Sequence, residues 1–107
     1  MPATLPAKEI LTLSGEIDLH RSPEVKEALG VLVQRQVPSI LIDLSAVDYI
    51  DSSGLAVLIE GFQRVTAYGG KLGLFGLQEK VRGIFEVARL DQVFQIFPDE
   101  ASALASV

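Results

Sequence analysis

Apolar residues along this chain alternate between two spacings, and the alternation predicts its elements. Residues 9–13 and 16–19 form an extended apolar run interrupted at Ser14-Gly15. Ser22-Pro23 then predicts a helix start, with Ser22 as N-cap and Pro23 in the first turn. Val25, Ala28, Leu29, Leu32 and Val33 give that helix a buried stripe, and Glu24, Lys26, Glu27, Gln34 and Arg35 its wet face. After Pro38 a short β-branched run at 40–44 reads as a buried strand. Leu55, Leu58, Ile59, Phe62 and Val65 return to helical spacing, and Tyr68-Gly69-Gly70 ends that helix. A third strand is expected at 71–75, a third helix from Val81, Ile84, Phe85 and Ala88, and a last core strand at 93–97. Pro98 then opens a small helix with Ala101, Leu104 and Ala105 inward. Four alternations of strand and helix with short connections imply an α/β single domain over 1–107, built on a four- to five-stranded, mainly parallel sheet with four helices.

The segment between the central strand and helix carries the candidate chemistry. Asp48-Tyr49-Ile50-Asp51-Ser52-Ser53-Gly54 places oxygen-bearing side chains where a loop becomes a helix. The first N–H groups of a helix lack internal partners and carry the positive end of its dipole. Asp51, Ser52 and Ser53 are residue types that cap such donors, and one of the three is expected to do so. The others stand at a helix start that tolerates an added phosphate. From residue types alone, caps are the commoner use.

Composition narrows the function classes. Cysteine is absent, no apolar stretch is long enough to span a bilayer, and there is no signal-peptide pattern, so a cytoplasmic protein without membrane insertion is expected. A mean hydropathy of +0.37 argues against disorder. The net charge of −5 is unevenly placed: residues 1–60 hold nine acids against four bases, and residues 61–107 hold five of each. The half with the serine motif would therefore repel nucleic acid and attract a partner with a basic patch.

Catalytic readings are weak. A serine hydrolase needs a base, yet His20 is the only histidine, and no Gly-x-Ser-x-Gly elbow occurs. Asp18, Asp48 and Asp51 lack the tight spacing of a cation-binding loop and read as solvated acids. No phosphate-cradling glycine loop is present, and Gly73 and Gly76 read as close-packing or turn positions. Neither a cofactor nor a metal is expected, and an enzyme ranks last among the readings.

Residues 43–55, from Asp43-Leu44-Ser45 through Asp51-Ser52-Ser53-Gly54-Leu55, closely resemble the signature of the STAS domain family, in particular the bacterial anti-sigma-factor antagonists. Gly15-Glu16-Ile17-Asp18 resembles the family's Gly-Glu-Leu-Asp element, and Gly69-Gly70-Lys71-Leu72 its lead into the third core strand. The resemblance implies phosphorylation at Ser52. The acidic residue ending the family's Gly-Glu-Leu-Asp element maps onto Asp18. Loops after parallel strands emerge at one sheet edge, so the end of the first strand and the 45–51 loop are expected to be neighbours, in a partner surface of Asp18, Ser22, Asp48, Asp51, Ser52, Ser53 and Gly54. The implied partners are an anti-sigma factor acting as serine protein kinase, and a serine phosphatase; the chain is expected to be monomeric when free. The alternative is a binding or scaffold subunit of a transporter, sensor or lipid-trafficking assembly, never phosphorylated. The chain departs from the family in two places. Only residues 1–7, interrupted by Pro2 and Pro6, are available for the family's extra edge strand, which is expected to be short or absent. His20-Arg21-Ser22-Pro23 stands where the family more often has Thr-Ala.

Overall fold

The computed structural model describes residues 7–106, and within them four strands alternate with helices. The elements are β1 (Lys8–Ile17), α1 (Ser22–Gln34), β2 (Ser39–Ile50), α2 (Ser52–Ala67), β3 (Lys71–Phe75), α3 (Glu79–Val87), a 3₁₀ turn (Leu90–Gln92), β4 (Gln95–Phe97) and α4 (Glu100–Ser106). The strands lie in the order β1-β2-β3-β4, every pair parallel. The N-terminal edge strand, expected to be short or absent, would fall mostly on residues 1–6, outside the described residues.

Strand β2 is central, and its alternating residues supply two cores. Ile40, Ile42 and Leu44 face one side, where they pack with Val25, Leu29 and Val33 of α1, Leu58 and Val65 of α2, and Val81 and Phe85 of α3. Leu41 faces the other side, against Phe75 and Ala103, with Ile10, Phe97 and Leu104 at the margin. Helices α1, α2 and α3 thus share one face of the sheet, and α4 covers part of the other. Leu58 is fully buried, whereas Phe62, expected beside it in the core, is half-buried and packs edge-on against Phe94 with ring centroids 5.4 Å apart.

The structure corrects the sequence reading at several boundaries. Strand β1 runs unbroken through Ser14-Gly15, because Gly15 adopts a φ of 74° and keeps the strand paired across an irregularity. It ends at Ile17, which leaves Leu19 outside it and 71% exposed. Residues 45–50, read as a loop, continue β2 to Ile50. Two register shifts explain why they looked irregular. Thr12 pairs with Asp43 and Ser14 with Ala46; Gly15 pairs with Val47 and Glu16 with Tyr49. Each shift inserts one extra residue into β2, a β-bulge, so burial after Leu44 recurs every third residue, at Val47 and Ile50. The first bulge is braced by Asp43 Oδ1, which accepts from the Ser45 N–H at 2.9 Å and the Ser45 hydroxyl at 2.7 Å.

Ser22 is not an N-cap. Helix α1 follows Arg21 with no side-chain cap, and the preceding turn is closed instead by the Asp18 carbonyl, which accepts from Ser22 N–H at 2.8 Å. Strand β4 is shorter than expected, since Leu90–Gln92 coil into a 3₁₀ turn that buries Phe94 and leaves Val93 exposed. Helix α4 begins after Asp99, whose carboxylate accepts from Ser102 N–H at 2.8 Å, and it buries Ala103. Ala101 and Ala105 are exposed and Leu104 half-buried, one position out of phase with the expected stripe. Ala88, likewise expected inward on α3, is exposed. Gly73 and Gly76 do mark close approaches: a methyl group at Gly73 would lie 3.0 Å from the Phe97 ring and one at Gly76 3.0 Å from Ser45 Cβ.

Candidate functional site

In a parallel sheet all strands end at one edge, and the loops leaving them gather there. The ends of β1 and β2 meet at that edge: Ile17 pairs with Ile50, and the Asp51 N–H donates to the Ile17 carbonyl at 3.1 Å. The Asp18–Arg21 turn and the start of α2 are therefore neighbours, as the sequence led us to expect.

Asp51 is the cap of α2. Its backbone is extended (φ −100°, ψ −175°), and its Oδ1 accepts from Ser53 N–H at 2.9 Å, Gly54 N–H at 3.1 Å and the Ser53 hydroxyl at 2.6 Å. The Ser53 hydroxyl, followed by the Gly54 N–H, holds the Asp51 carboxyl below the usual aspartate range, with smaller help from the N–H groups of Ser53 and Leu19. Ser53 is half-buried and Ser52 exposed. Two adjacent serines of identical chemistry thus occupy different environments.

Gly54 lets the helix start approach the sheet. A methyl group there would lie 2.7 Å from Ile50 Cγ1 and 2.8 Å from the Ile17 carbonyl oxygen. Because that oxygen is backbone, the clash could be relieved only by moving α2 away from β1. Gly54 is buried, so its part in the site is to seat Ser52 and Ser53 close to the strand ends.

The remaining candidate residues divide. Asp18 is at the edge, but its carboxylate is engaged locally, Oδ1 accepting from His20 N–H at 3.0 Å and Arg21 N–H at 3.1 Å. Ser22 is only 7% exposed, and its hydroxyl donates to the Leu19 carbonyl at 3.4 Å. It sits beneath the turn, away from the surface a partner could reach. Asp48 is exposed as the unpaired residue of the second bulge, set back from Ser52 along β2. His20 is exposed, as expected for a residue near a helix start. Among the described residues no cluster of three metal-ligating side chains occurs.

Apart from Gly54, the residues named from the sequence were all polar, and an apolar part of this surface was missed. Leu19 is 71% exposed and Val87 88% exposed. Between α2 and α3 runs an open groove of about 480 Å³ lined by Leu55, Lys80, Gly83, Ile84, Val87 and Ala88. Leu55 follows Ser52 by three residues and so lies on the same helix face. The signal was present in the sequence: Val87 lies outside the 3.6-residue stripe of α3 that Val81 and Phe85 define.

The profile of the STAS domain matches residues 5–103. An anti-sigma-B factor antagonist of Listeria monocytogenes is 37% identical over 84 residues, 78% of this chain and 74% of that protein. The anti-sigma-B factor antagonist of Bacillus subtilis is 34% identical over 86 residues, covering 80% and 78% of the two chains. The crystal structure of an anti-sigma factor antagonist from Mycobacterium paratuberculosis is 28% identical and superposes with a TM-score of 0.87 over 98% of this chain and 89% of the other. A parallel α/β sheet, a serine pair at the start of its second helix and a match over nearly the whole length lead to one conclusion: the chain belongs to the STAS domain family.

Proposed function

We propose that this protein is an anti-sigma-factor antagonist whose binding is switched at Ser52. Unmodified, it binds an anti-sigma factor of the serine-kinase type, which frees a sigma factor for transcription. Phosphorylation of Ser52 abolishes that binding, and a serine phosphatase restores it. Two anti-sigma-B factor antagonists at 37% and 34% identity support the antagonist part of the reading. The observation that carries it to Ser52 is local. Ser52 is exposed at the start of α2, and capping is done by Asp51, so the fold does not need the Ser52 hydroxyl. The adjoining apolar groove is the kind of exposed patch that marks protein contacts. No helix among the described residues is long and apolar enough to cross a membrane.

A phosphate on Ser52 would add about −1.5 to −2 charges at neutral pH. At the N-terminal end of α2 the helix dipole favours that charge, so the fold stays as it is. The effect falls on the partner, which had docked a bare hydroxyl and now meets bulk and negative charge. Each tenfold loss of affinity requires only about 1.4 kcal/mol, within reach of one desolvated clash.

Calorimetric titration of the anti-sigma factor into three variants, with kinase-dependent phosphate uptake measured beside it, tests the switch. Ser52→Ala binds and accepts no phosphate; Ser52→Asp melts like wild type and binds at least tenfold more weakly; Ser53→Ala is still phosphorylated. Wild-type phosphate uptake by Ser52→Ala, with undiminished binding by Ser52→Asp, would leave the unphosphorylated scaffold as the better reading.

A further inference from the structure

Resting on the phosphoserine reading above, a finer question is why one of two adjacent hydroxyls is the acceptor. Ser52 and Ser53 both lie in the first turn of α2, but Ser53 Oγ donates to Asp51 Oδ1 at 2.6 Å while its N–H donates to the same oxygen at 2.9 Å. Ser53 is half-buried and Ser52 exposed. We propose that Asp51 is the residue that determines phosphorylation specificity: it ties down the Ser53 hydroxyl and leaves Ser52 as the acceptor.

The chemistry of the transfer supports this. A serine oxygen attacks the γ-phosphorus of a nucleoside triphosphate, the new O–P bond forms as the bond to the departing nucleoside diphosphate breaks, and the serine proton passes to a base on the kinase. The oxygen must be aligned with the leaving group, with its proton directed to that base. Ser53 directs its proton at Asp51, and turning it outward breaks a short, charge-assisted hydrogen bond. Asp51 does not substitute for the kinase base, because the donors around it stabilise its ionised form. The product is disfavoured too. A phosphate on Ser53 would bring about −1.5 to −2 charges against the Asp51 carboxylate, whereas on Ser52 it stands at an exposed position.

The test returns wild type, Ser52→Ala, and the double variants Asp51→Asn/Ser52→Ala and Asp51→Ala/Ser52→Ala to the cells that make the protein. Phosphate positions are mapped by mass spectrometry at successive growth stages, and each purified variant is melted. Wild type carries phosphate on Ser52 alone, and Ser52→Ala carries none. The Asp51→Ala double variant gains phosphate on Ser53 at least tenfold above Ser52→Ala. The Asp51→Asn double variant lies between; it melts below Ser52→Ala at neutral pH but keeps a cooperative transition, since Asn still caps a helix. If Asp51 were only a cap, its replacement would shift melting and leave Ser53 unmodified. The proposal is overturned by Ser53 phosphate in wild type or Ser52→Ala at the level of Ser52. It is equally overturned if Ser53 phosphate fails to rise in a double variant that keeps its melting transition; the Asp51→Asn form decides should the Ala form not fold. A wild type unphosphorylated at every stage overturns the phosphoserine reading itself, an outcome distinct from the others.

Discussion

At the scale of single residues, the start of α2 turns on how one carboxylate distributes its hydrogen bonds. Asp51 accepts from the Ser53 hydroxyl and from the N–H groups of Ser53 and Gly54, and these donors favour its ionised form. Its pKa is therefore lower folded than unfolded. Such a group contributes stability that is complete above the unfolded value, near pH 4, and is lost as pH falls through the lower folded value. Asp51→Asn does not titrate there. The difference in melting temperature between wild type and Asp51→Asn is thus expected to be constant from about pH 7 to pH 5 and to shrink below about pH 4. Thermal melts by circular dichroism across that range check it. A difference that grew towards acid pH would mean that the Asp51 carboxylate is disfavoured in the fold.

At the scale of elements, the contact between α2 and the sheet is closer than helix propensity alone would choose. Ala is ordinarily better than Gly inside a helix by roughly 0.5–1 kcal/mol. At Gly30 of α1 a methyl group would meet nothing within 4 Å, so Gly30→Ala is expected to stabilise by about that amount. At Gly54 the same change drives a methyl group to 2.8 Å from the Ile17 carbonyl, and overpacking of this kind costs about 1–3 kcal/mol. Urea titration of the two variants should move the midpoint in opposite directions. Equal shifts would show that α2 can lift off β1 without loss. The bulges belong to this scale as well. They let β2 continue to Ile50 and bring Asp51 to the end of β1, so the position of the serine pair depends on strand register.

Over the whole molecule, the excess negative charge belongs to the half that bears Ser52, and the geometry sorts its acids by role. Asp18 and Asp51 are engaged with backbone N–H groups, whereas Asp48 is an exposed bulge residue. Reversal at Asp18 would disturb the turn before α1 together with the surface charge. Asp48→Lys is the cleaner probe. It is expected to slow association with a basic anti-sigma partner several-fold at low salt while leaving the melting temperature near wild type. Raising the ionic strength to physiological values, where the Debye length is about 8 Å, should narrow the difference. Stopped-flow association at several salt concentrations measures this. A salt-independent rate for both proteins would remove long-range attraction from the account.

The sequence by itself determined the alternation of strands and helices and the faces that α1 and α2 bury. Burial periodicity is local: Leu58 and Val65 on α2, or Ile40 and Ile42 on β2, declare their faces without reference to the rest of the chain. It also marked the serine pair and its acidic neighbour, because capping residue types stand out where an apolar strand gives way to an apolar helix. Only the tertiary structure decided which of the three oxygen-bearing residues caps α2, since that depends on the backbone angles imposed where β2 meets the end of β1. It likewise decided that Ser22 is buried beneath a turn closed by Asp18, that residues 45–50 are strand, and that Ala103 rather than its neighbours faces the sheet. The extent of β2 and the placing of Asp51 are matters of register between strands distant in sequence, and a shift of one residue in a paired strand changes which side chains point inward.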